Sequence, residues 1–188
     1  MLRKLPLYLA LLLLTQCSKC KRDDPAPLPP KDPLSTLPPE TQTGAGTFGC
    51  LVNGKAYAAP SPTRCRGDWQ SSTKLGISAT MYANGTQANE TYSISMALNG
   101  RLMDAQSFAM ISSASPFPVF TPGINQFFAF AGAQCIYGGA YYKPGPVELV
   151  KFDGVARIAS GRFAFTLYEP NSGCDTLRVT NGRFDVKF

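Results

Sequence analysis

The final six residues alternate between polar and apolar side chains up to the last position. The polar members are Arg183, Asp185 and Lys187, and the apolar members are Phe184, Val186 and Phe188. Successive side chains of a β-strand point to opposite faces of a sheet, so this period of two residues predicts a strand with one buried face. The pattern therefore predicts a structural strand at this end of the chain, with Asp185 on its outward side.

Similar alternation recurs upstream, and turn signals separate the segments. Apolar residues alternate with small or polar ones in 75–81, 92–98 and 163–167, and Asn-Gly pairs stand at 53–54, 84–85 and 99–100. Asn-Gly accepts the positive φ angles of a tight hairpin turn, most clearly between Thr47–Val52 and Lys55–Ala58. No helical period of any length competes. The sequence therefore predicts an all-β domain, an antiparallel β-sandwich or small barrel of about eight to ten short strands.

Four stretches are less regular. Residues 60–67 contain two prolines and a glycine and are predicted to form a loop. Residues 102–109 are predicted to form a pair of short helical turns. The apolar and aromatic residues 123–136 are predicted to form one largely buried strand, and residues 138–146 an irregular loop.

The chain begins with a basic pair, Arg3 and Lys4, followed by an apolar run over residues 5–14. A positive segment followed by about 7–15 apolar residues is typical of a secretory signal, and the run is too short for a mature membrane-spanning helix. The run leads to Cys17, and this arrangement resembles the lipobox of bacterial lipoproteins, in which the cysteine is acylated and becomes the first mature residue. The expectation is a lipoprotein signal peptide over 1–16 and lipidation of Cys17.

Residues 17–46 contain seven prolines and no aromatic residue. Such a segment cannot build a core and favours an extended, semi-rigid spacer of about 3 Å per residue. The predicted organisation is therefore a signal peptide (1–16), a lipidated linker (17–46) and a β-domain (47–188). The predicted location is the outer membrane. Asp23-Asp24 resembles the charged export tag of Bacteroidota surface lipoproteins and slightly favours the cell-surface face over the periplasmic face.

The cysteines predict disulfides in an exported domain. They stand at positions 17, 20, 50, 65, 135 and 174. With Cys17 lipidated and Cys20 in the linker, the remaining four allow three pairings. We expect Cys50–Cys65 and Cys135–Cys174, because each bridge would join a Pro- or Gly-rich excursion to the strands that flank it. Cys20 is left over, as a free thiol or an intermolecular partner.

The composition excludes several classes of chemistry. The chain has no histidine, which removes the Ser-His-Asp and Cys-His arrangements and most zinc and haem ligand sets. No pair of acids stands out as the facing carboxylates of a glycosidase, and no calcium-loop motif is present. The formal charge of +6 falls to +4 without Arg3 and Lys4 and is dispersed, unlike a nucleic-acid footprint. We therefore expect no enzyme activity, no cofactor, no metal and no nucleic-acid partner.

Two sets of residues are candidates for ligand contact or modification. Trp69, Tyr137, Tyr141 and Tyr142 stand outside the clear alternation, near Gly or Pro. Exposed aromatic rings stack on sugar rings, whereas Tyr and Trp also roof β cores, and the roofing role is the commoner one. Asp175-Thr176-Leu177 resembles the O-glycosylation site of exported Bacteroidota proteins, which makes Thr176 a candidate acceptor.

Both ends of the predicted domain carry longer motifs. They read Thr47-Phe-Gly-Cys-Leu-Val-Asn-Gly-Lys55, Ile158-Ala-Ser-Gly-Arg-Phe-Ala-Phe165 and Gly173-Cys-Asp-Thr-Leu-Arg-Val-Thr-Asn-Gly-Arg-Phe-Asp-Val-Lys187. These segments are similar to those of a family of Bacteroidota outer-membrane lipoproteins of uncharacterised function. The resemblance implies an exported lipoprotein with a β-rich domain. It brings no catalytic residue and no substrate.

Together these observations favour a membrane-tethered, non-enzymatic module that binds a ligand or supports the structure of the bacterial cell envelope. Its expected partners are the membrane, through the N-terminal lipid, and a glycan or an envelope protein. The alternative from another class is a glycan-binding accessory protein or weak glycan-degrading hydrolase at the cell surface. The two differ in one structural feature, since a hydrolase needs two converging carboxylates and a binding module does not.

Overall fold

The structure is a computed structural model, and it describes residues 32–83, 85, 91–110, 123–131, 135–137, 142–143, 145–168 and 173–188. Asp32–Phe188 form one compact unit. The described residues of this unit form twelve strands and two short 3-10 turns, Pro33–Thr36 and Pro62–Arg64. The strands are β1 (Thr47–Val52), β2 (Lys55–Ala58), β3 (Cys65–Ser71), β4 (Lys74–Ala83), β5 (Thr91–Asn99), β6 (Gln106–Met110), β7 (Gly123–Ala131), β8 (Cys135–Tyr137), β9 (Tyr142–Lys143), β10 (Val147–Asp153), β11 (Ile158–Leu167) and β12 (Leu177–Lys187). The all-β prediction is confirmed.

The strands form one curled sheet whose pairings return to their starting point. The order is β10-β6-β7-β5-β4-β2-β1-β12-β11, and β11 pairs again with β10. β3 pairs with β4, β8 with β7 and β9 with β11, outside this ring. All pairings are antiparallel except the short one between β6 and β7. The sheet therefore has the small-barrel form of the predicted architecture.

The apolar core lies on the inner face of this sheet. Its largest fully buried members come from β1, β4, β5, β10, β11 and β12 and are Phe48, Leu75, Ile77, Met81, Ile94, Met96, Leu98, Leu149, Phe163, Leu167 and Leu177. The rings of Phe48 and Phe163 lie 5.0 Å apart at their centroids. Burying each such side chain stabilises the fold by about 1.5–3 kcal/mol. The alternation seen in the sequence for β4, β5, β11 and β12 is the alternation between this core and the outer face.

The turn at Asn53-Gly54 has the predicted geometry. The φ angles are +49° at Asn53 and +83° at Gly54, and Val52 pairs directly with Lys55. Two successive positive φ angles are the mark of a type I′ hairpin turn. Val52 is buried at the end of β1, so the turn also fixes which residues of the hairpin reach the core.

Two predicted segments take other forms. The helical turns predicted over 102–109 are wrong: Gln106–Met110 is strand β6, and Phe108 is buried opposite Val147 of β10. Sheet pairing and burial of Phe108 override the local preference of this segment. The single strand predicted over 123–136 is two strands, β7 and β8, which pair with each other. β9 lies within the predicted loop 138–146.

β3 lies partly where a loop was predicted. Its alternation is hidden in the sequence because the inward positions are Cys65 and Gly67. A Cβ atom on Gly67 would lie 2.8 Å from Cβ of Phe188 and 2.9 Å from the carbonyl oxygen of Lys187. The strand can approach the end of β12 this closely only because residue 67 has no side chain.

The folded unit begins at Asp32 rather than at Thr47, so the predicted linker is shorter at its C-terminal end. Leu37 is buried and clusters with Leu51 and Ala56. Residues 37–46, hereafter the N-terminal strap, then run over the outer face of the sheet to the start of β1. Their contacts with the sheet are mostly polar, so the sequence of this segment has no apolar periodicity that would distinguish it from a linker.

One of the two predicted disulfides is present. Cys135 of β8 and Cys174, in the turn before β12, are bonded, with Cα atoms 5.9 Å apart, which confirms that pairing. The predicted Cys50–Cys65 bridge is wrong, since both thiols are free and buried. Cys50 points into the core, where its Sγ lies 3.8 Å from Sδ of Met81. Burial raises the pKa of Cys50 and raises that of Cys65 to about 11, with a smaller contribution from Asp185.

Candidate binding groove

Two parallel rows of polar residues cross the outer face of β3, β4 and β5. In the first row, Arg66 pairs with Ser78, and Ser78 pairs with Ser95. In the second row, Thr80 pairs with Ser93. Arg64, the last residue of the 3-10 turn Pro62–Arg64, comes directly before β3. Neighbouring strands lie about 4.8 Å apart. The first row therefore presents an arginine followed by two hydroxyl groups, and the second presents two hydroxyl groups.

These rows line an open groove of about 300 Å³, hereafter the β3–β5 groove. Its lining residues are Thr63, Arg64, Arg66, Ser78, Ala79, Thr80, Ser93, Ile94 and Ser95. Both arginines are exposed, and the hydroxyls of Thr80 and Ser93 lie 3.1 Å apart, within hydrogen-bond distance. In Cα register the rows continue at Phe128 and Phe130 of β7.

The groove is positively charged. No carboxylate is among its described lining residues, and neither Arg64 nor Arg66 forms an ion pair with a described residue. A guanidinium presents five N–H donors in a planar fork that matches a carboxylate or a phosphate, and hydroxyl groups both donate and accept. The arrangement is suited to a ligand that carries negative charge together with many hydroxyl groups.

Trp69 does not line this groove. It is 39% exposed and lies edge-on to Phe152 and Phe188, at centroid distances of 6.1 and 5.4 Å. The rings of Phe152 and Phe188 stack at 5.4 Å with an interplanar angle of 8°. These three rings pack together at one end of the barrel, and such contacts are those of a residue that roofs the core.

The predicted tyrosines are elsewhere. Tyr137 is 2% exposed, and its hydroxyl donates a hydrogen bond to the carbonyl oxygen of Asp175. Tyr142 is in β9, paired with Leu167 at the end of β11, whereas Phe152 pairs with Ala159 near its beginning. Tyr141 lies outside the described residues. Trp69 and Tyr142 are therefore at opposite ends of the barrel, and the predicted aromatics do not form one stacking platform.

Thr176 is exposed in the turn before β12. Its carbonyl oxygen accepts a hydrogen bond of 3.1 Å from Nδ2 of Asn53, which holds this turn against the β1–β2 hairpin. The exposed position is compatible with the predicted modification, which stays a prediction. Cys17 and Cys20 lie outside the described residues.

Asp185 forms the most extensive polar contact with the strap. It is 1% exposed, and its carboxylate accepts hydrogen bonds from the hydroxyl of Thr41 (2.6 Å) and from the backbone N–H groups of Thr43, Gly44 and Ala45 (3.0, 2.8 and 3.1 Å). Burial alone would raise the pKa of Asp185, but these hydrogen bonds outweigh it and lower the pKa. The outward placement of Asp185 was predicted, but the strap buries the side chain.

Gly44 makes this contact sterically feasible. Its φ angle is +70°, and an added Cβ would lie 2.7 Å from Cγ of Lys187. A positive φ and a close approach both favour glycine, so the strap can turn its N–H groups toward Asp185 at this point.

The strap also forms an ion pair. Nη2 and Nε of Arg162 donate to Oε2 of Glu40 at 2.6 and 3.0 Å. The hydrogen bond to Arg162 lowers the pKa of Glu40, and the same contact raises the pKa of Arg162. Both side chains are about half exposed, so solvent screening keeps the contribution of this pair small.

The described residues contain no group of three or more Cys, Asp or Glu side chains placed to hold a metal ion. They also contain no helix that is long and apolar enough to cross a membrane.

Sequence reasoning missed the β3–β5 groove for an identifiable reason. The polar halves of β4 and β5 were visible as alternation, but Arg64 and Arg66 were assigned to a loop. The pairs Arg64-x-Arg66, Ser78-x-Thr80 and Ser93-x-Ser95 share a spacing of two, which is the signal that could have indicated a common face.

Comparison with known proteins returned no match: no family model, no curated protein and no solved structure is significantly similar to this chain.

Proposed function

We propose that this protein is a lipid-anchored, non-enzymatic binding module of the bacterial cell envelope, and that its β3–β5 groove binds an acidic glycan. The observation that supports this proposal most is the groove across β3, β4 and β5, in which Arg64 and Arg66 stand beside two rows of hydroxyl groups. A glycan offers hydroxyl groups at spacings of a few ångströms, and an acidic one adds the carboxylate or phosphate that two arginines recognise.

The shape of the site also supports binding rather than catalysis. The groove is open and lies across a sheet, so it can accept a section of a longer chain without enclosing its end. Its described lining residues offer cations and hydroxyls but no general acid or base near neutral pH. The alternative, a glycan-degrading hydrolase, lacks a specific observation in its favour.

The anchor belongs to the same proposal. The basic start, the apolar run and Cys17 support export and acylation, and the resemblance to Bacteroidota lipoproteins supports the outer membrane as the location. A multiply acylated cysteine would hold the protein far more firmly than the marginal binding of one acyl chain. Changing Cys17→Ala should therefore move the protein out of the carbonate-washed membrane fraction, and its retention there would contradict the anchor.

A glycan array tests the ligand. Asp32–Phe188 is a compact unit, so this portion can be produced without the predicted anchor. The array should carry uronate-containing, phosphorylated and neutral oligosaccharides of similar length. We expect signal on acidic glycans that weakens as salt is added, because exposed charges are screened. Signal on neutral glycans alone would contradict the assignment of the arginines, and preference between uronate and phosphate identifies the acidic group.

A further inference from the structure

A second, smaller cavity, partly open to solvent, lies on another face of the barrel, beneath the N-terminal strap. Its volume is about 30 Å³. The strap contributes Pro39, Glu40, Thr41 and Gln42, and the sheet contributes Val150, Ser160, Gly161, Arg162, Arg183 and Phe184. A cavity of this size has room for a water molecule or a monatomic ion.

Two polar atoms on the sheet side of this cavity have no hydrogen-bond partner among the described residues. They are Oγ of Ser160 and Nε of Arg183, and both atoms are buried. Ser160 as a whole is 2% exposed. The Nε–H of arginine can only donate, and a serine hydroxyl can donate to any acceptor within reach. Because buried polar groups are normally paired, these two atoms indicate a ligand that accepts hydrogen bonds.

The lining of this cavity holds two arginines and one carboxylate, and Glu148 of β10 stands opposite Arg162 outside the lining. Arg162 and Arg183 stand directly opposite each other on β11 and β12, a destabilising arrangement for like charges. The carboxylate of Glu40 is bound by Arg162, and Nη1 of Arg183 donates to the carbonyl oxygen of Pro38 at 3.1 Å. The guanidinium of Arg183 therefore forms no hydrogen bond to a carboxylate of the described residues.

The carboxylate of Asp185 lies nearby but does not accept a hydrogen bond from Oγ of Ser160 or Nε of Arg183. Asp185 pairs with Ser160 across the two strands, but its oxygens accept hydrogen bonds from the strap. The lining thus contains two guanidinium groups and a single carboxylate, that of Glu40.

We propose that this cavity binds a monatomic anion, chloride under physiological conditions, which accepts hydrogen bonds from Oγ–H of Ser160 and Nε–H of Arg183. The anion would lie between the sheet and the strap and would offset the repulsion between the two arginines. Docking of the strap is then linked to the anion, because the cavity exists only while residues 39–42 cover it. This site is separate from the β3–β5 groove and does not depend on the function proposed for the groove.

Thermal unfolding of the full chain in different sodium salts tests the proposal. At equal ionic strength, chloride or bromide should raise the Tm by about 2–5 °C relative to gluconate, whose anion is too large for the cavity. Ser160→Ala removes one donor with little change in volume and should abolish most of this difference. The control Ser107→Ala, at an exposed position of β6 that lines neither the cavity nor the groove, should keep it. Arg183→Lys, which removes Nε but retains the charge, should also lose it.

Equal Tm values in halide and gluconate would overturn the proposal, as would a halide effect of the same size in Ser160→Ala. If Arg183→Lys does not fold, Ser160→Ala still decides. Crystals soaked in bromide provide a direct view: an anomalous peak within hydrogen-bond distance of both Ser160 Oγ and Arg183 Nε is expected. A water molecule at that position in bromide, or a peak without any halide effect on Tm, would show that only water or an adventitious ion occupies the cavity.

Discussion

The hydroxyl of Thr41 donates a hydrogen bond of 2.6 Å to Oδ2 of Asp185, across a sequence separation of 144 residues. Three backbone N–H groups of the strap donate to the same carboxylate. Hydrogen bonds to a charged group are stronger than neutral ones, and these four donors all lie at one buried side chain. The contact therefore fixes the point at which the extended N-terminal segment joins the barrel.

Replacing Asp185 should destabilise the fold substantially. Asp185→Ala leaves the strap donors without their acceptor, and we expect the free energy of unfolding to fall by about 2–4 kcal/mol, measured by urea denaturation at neutral pH. The control is Asp68→Ala, since Asp68 is exposed and contacts only the nearby Gln70 through its side chain. A loss at Asp185 no larger than the loss at Asp68 would contradict the role of this carboxylate.

The same carboxylate should make stability depend on pH. The pKa of Asp185 is lowered in the folded state, so its contribution is present above its unfolded pKa of about 3.9 and is lost as the pH falls through the lower folded value. Wild type should therefore lose more stability between about pH 6 and pH 3 than Asp185→Asn, which cannot titrate. Parallel pH profiles for the two proteins would show that folding does not lower the pKa of Asp185.

The Cys135–Cys174 disulfide should contribute more to the free energy of unfolding than the free thiol of Cys50 or that of Cys65. It closes a loop with a sequence separation of 39, for which the chain-entropy model gives about 4 kcal/mol. The double variant Cys135→Ser/Cys174→Ser should lose stability of this order in denaturant titrations.

The free thiols of Cys50 and Cys65 should resist alkylation in the native protein. Alkylating reagents should modify them only after unfolding, because both are buried with raised pKa values. Rapid labelling of Cys50 in the native protein would contradict its position in the core.

Substitution of Trp69 tests whether its ring covers the core or stacks on a sugar. Trp69→Ala should lower the free energy of unfolding by about 1–3 kcal/mol, because it uncovers Phe152 and Phe188. It should leave the affinity for an acidic glycan unchanged, because Trp69 does not line the groove. A loss of affinity at unchanged stability would instead place the ligand on the indole ring. Calorimetric titration of wild type and variant, together with their unfolding curves, separates the two outcomes.

The sequence predicts those parts of the fold that depend on local patterns. The Asn53-Gly54 turn and the alternation in β4, β5 and β12 follow from turn chemistry and from the period of a half-buried strand. β3 was missed at its beginning because Gly67 replaces an apolar residue where the strand approaches Phe188. The burial of Asp185 was missed because the residues that cover it lie far away in the sequence and have no apolar pattern.

The candidate groove also depends on residues that are distant in the sequence, so local patterns did not predict it. Its residues come from three strands, and only the register between these strands places Arg66, Ser78 and Ser95 in one row. The sequence contained each residue and its spacing, but the pairing of β3 with β4 was not predicted. The cysteine pairings were likewise predicted only in part. Cys135 and Cys174 form the predicted disulfide, whereas Cys50 and Cys65 are buried as free thiols.

The proposal that the β3–β5 groove binds an acidic glycan is tested most directly by calorimetric titration of an oligogalacturonate and a phosphorylated oligomannose into wild type and Arg64→Gln/Arg66→Gln. Removing two charge-assisted contacts should weaken binding of the recognised glycan at least about tenfold. The matched control Arg101→Gln/Arg178→Gln removes two exposed arginines outside the groove and should bind as wild type does. Unchanged affinity in Arg64→Gln/Arg66→Gln, or no binding of either acidic glycan to wild type at millimolar concentration, would contradict the proposal.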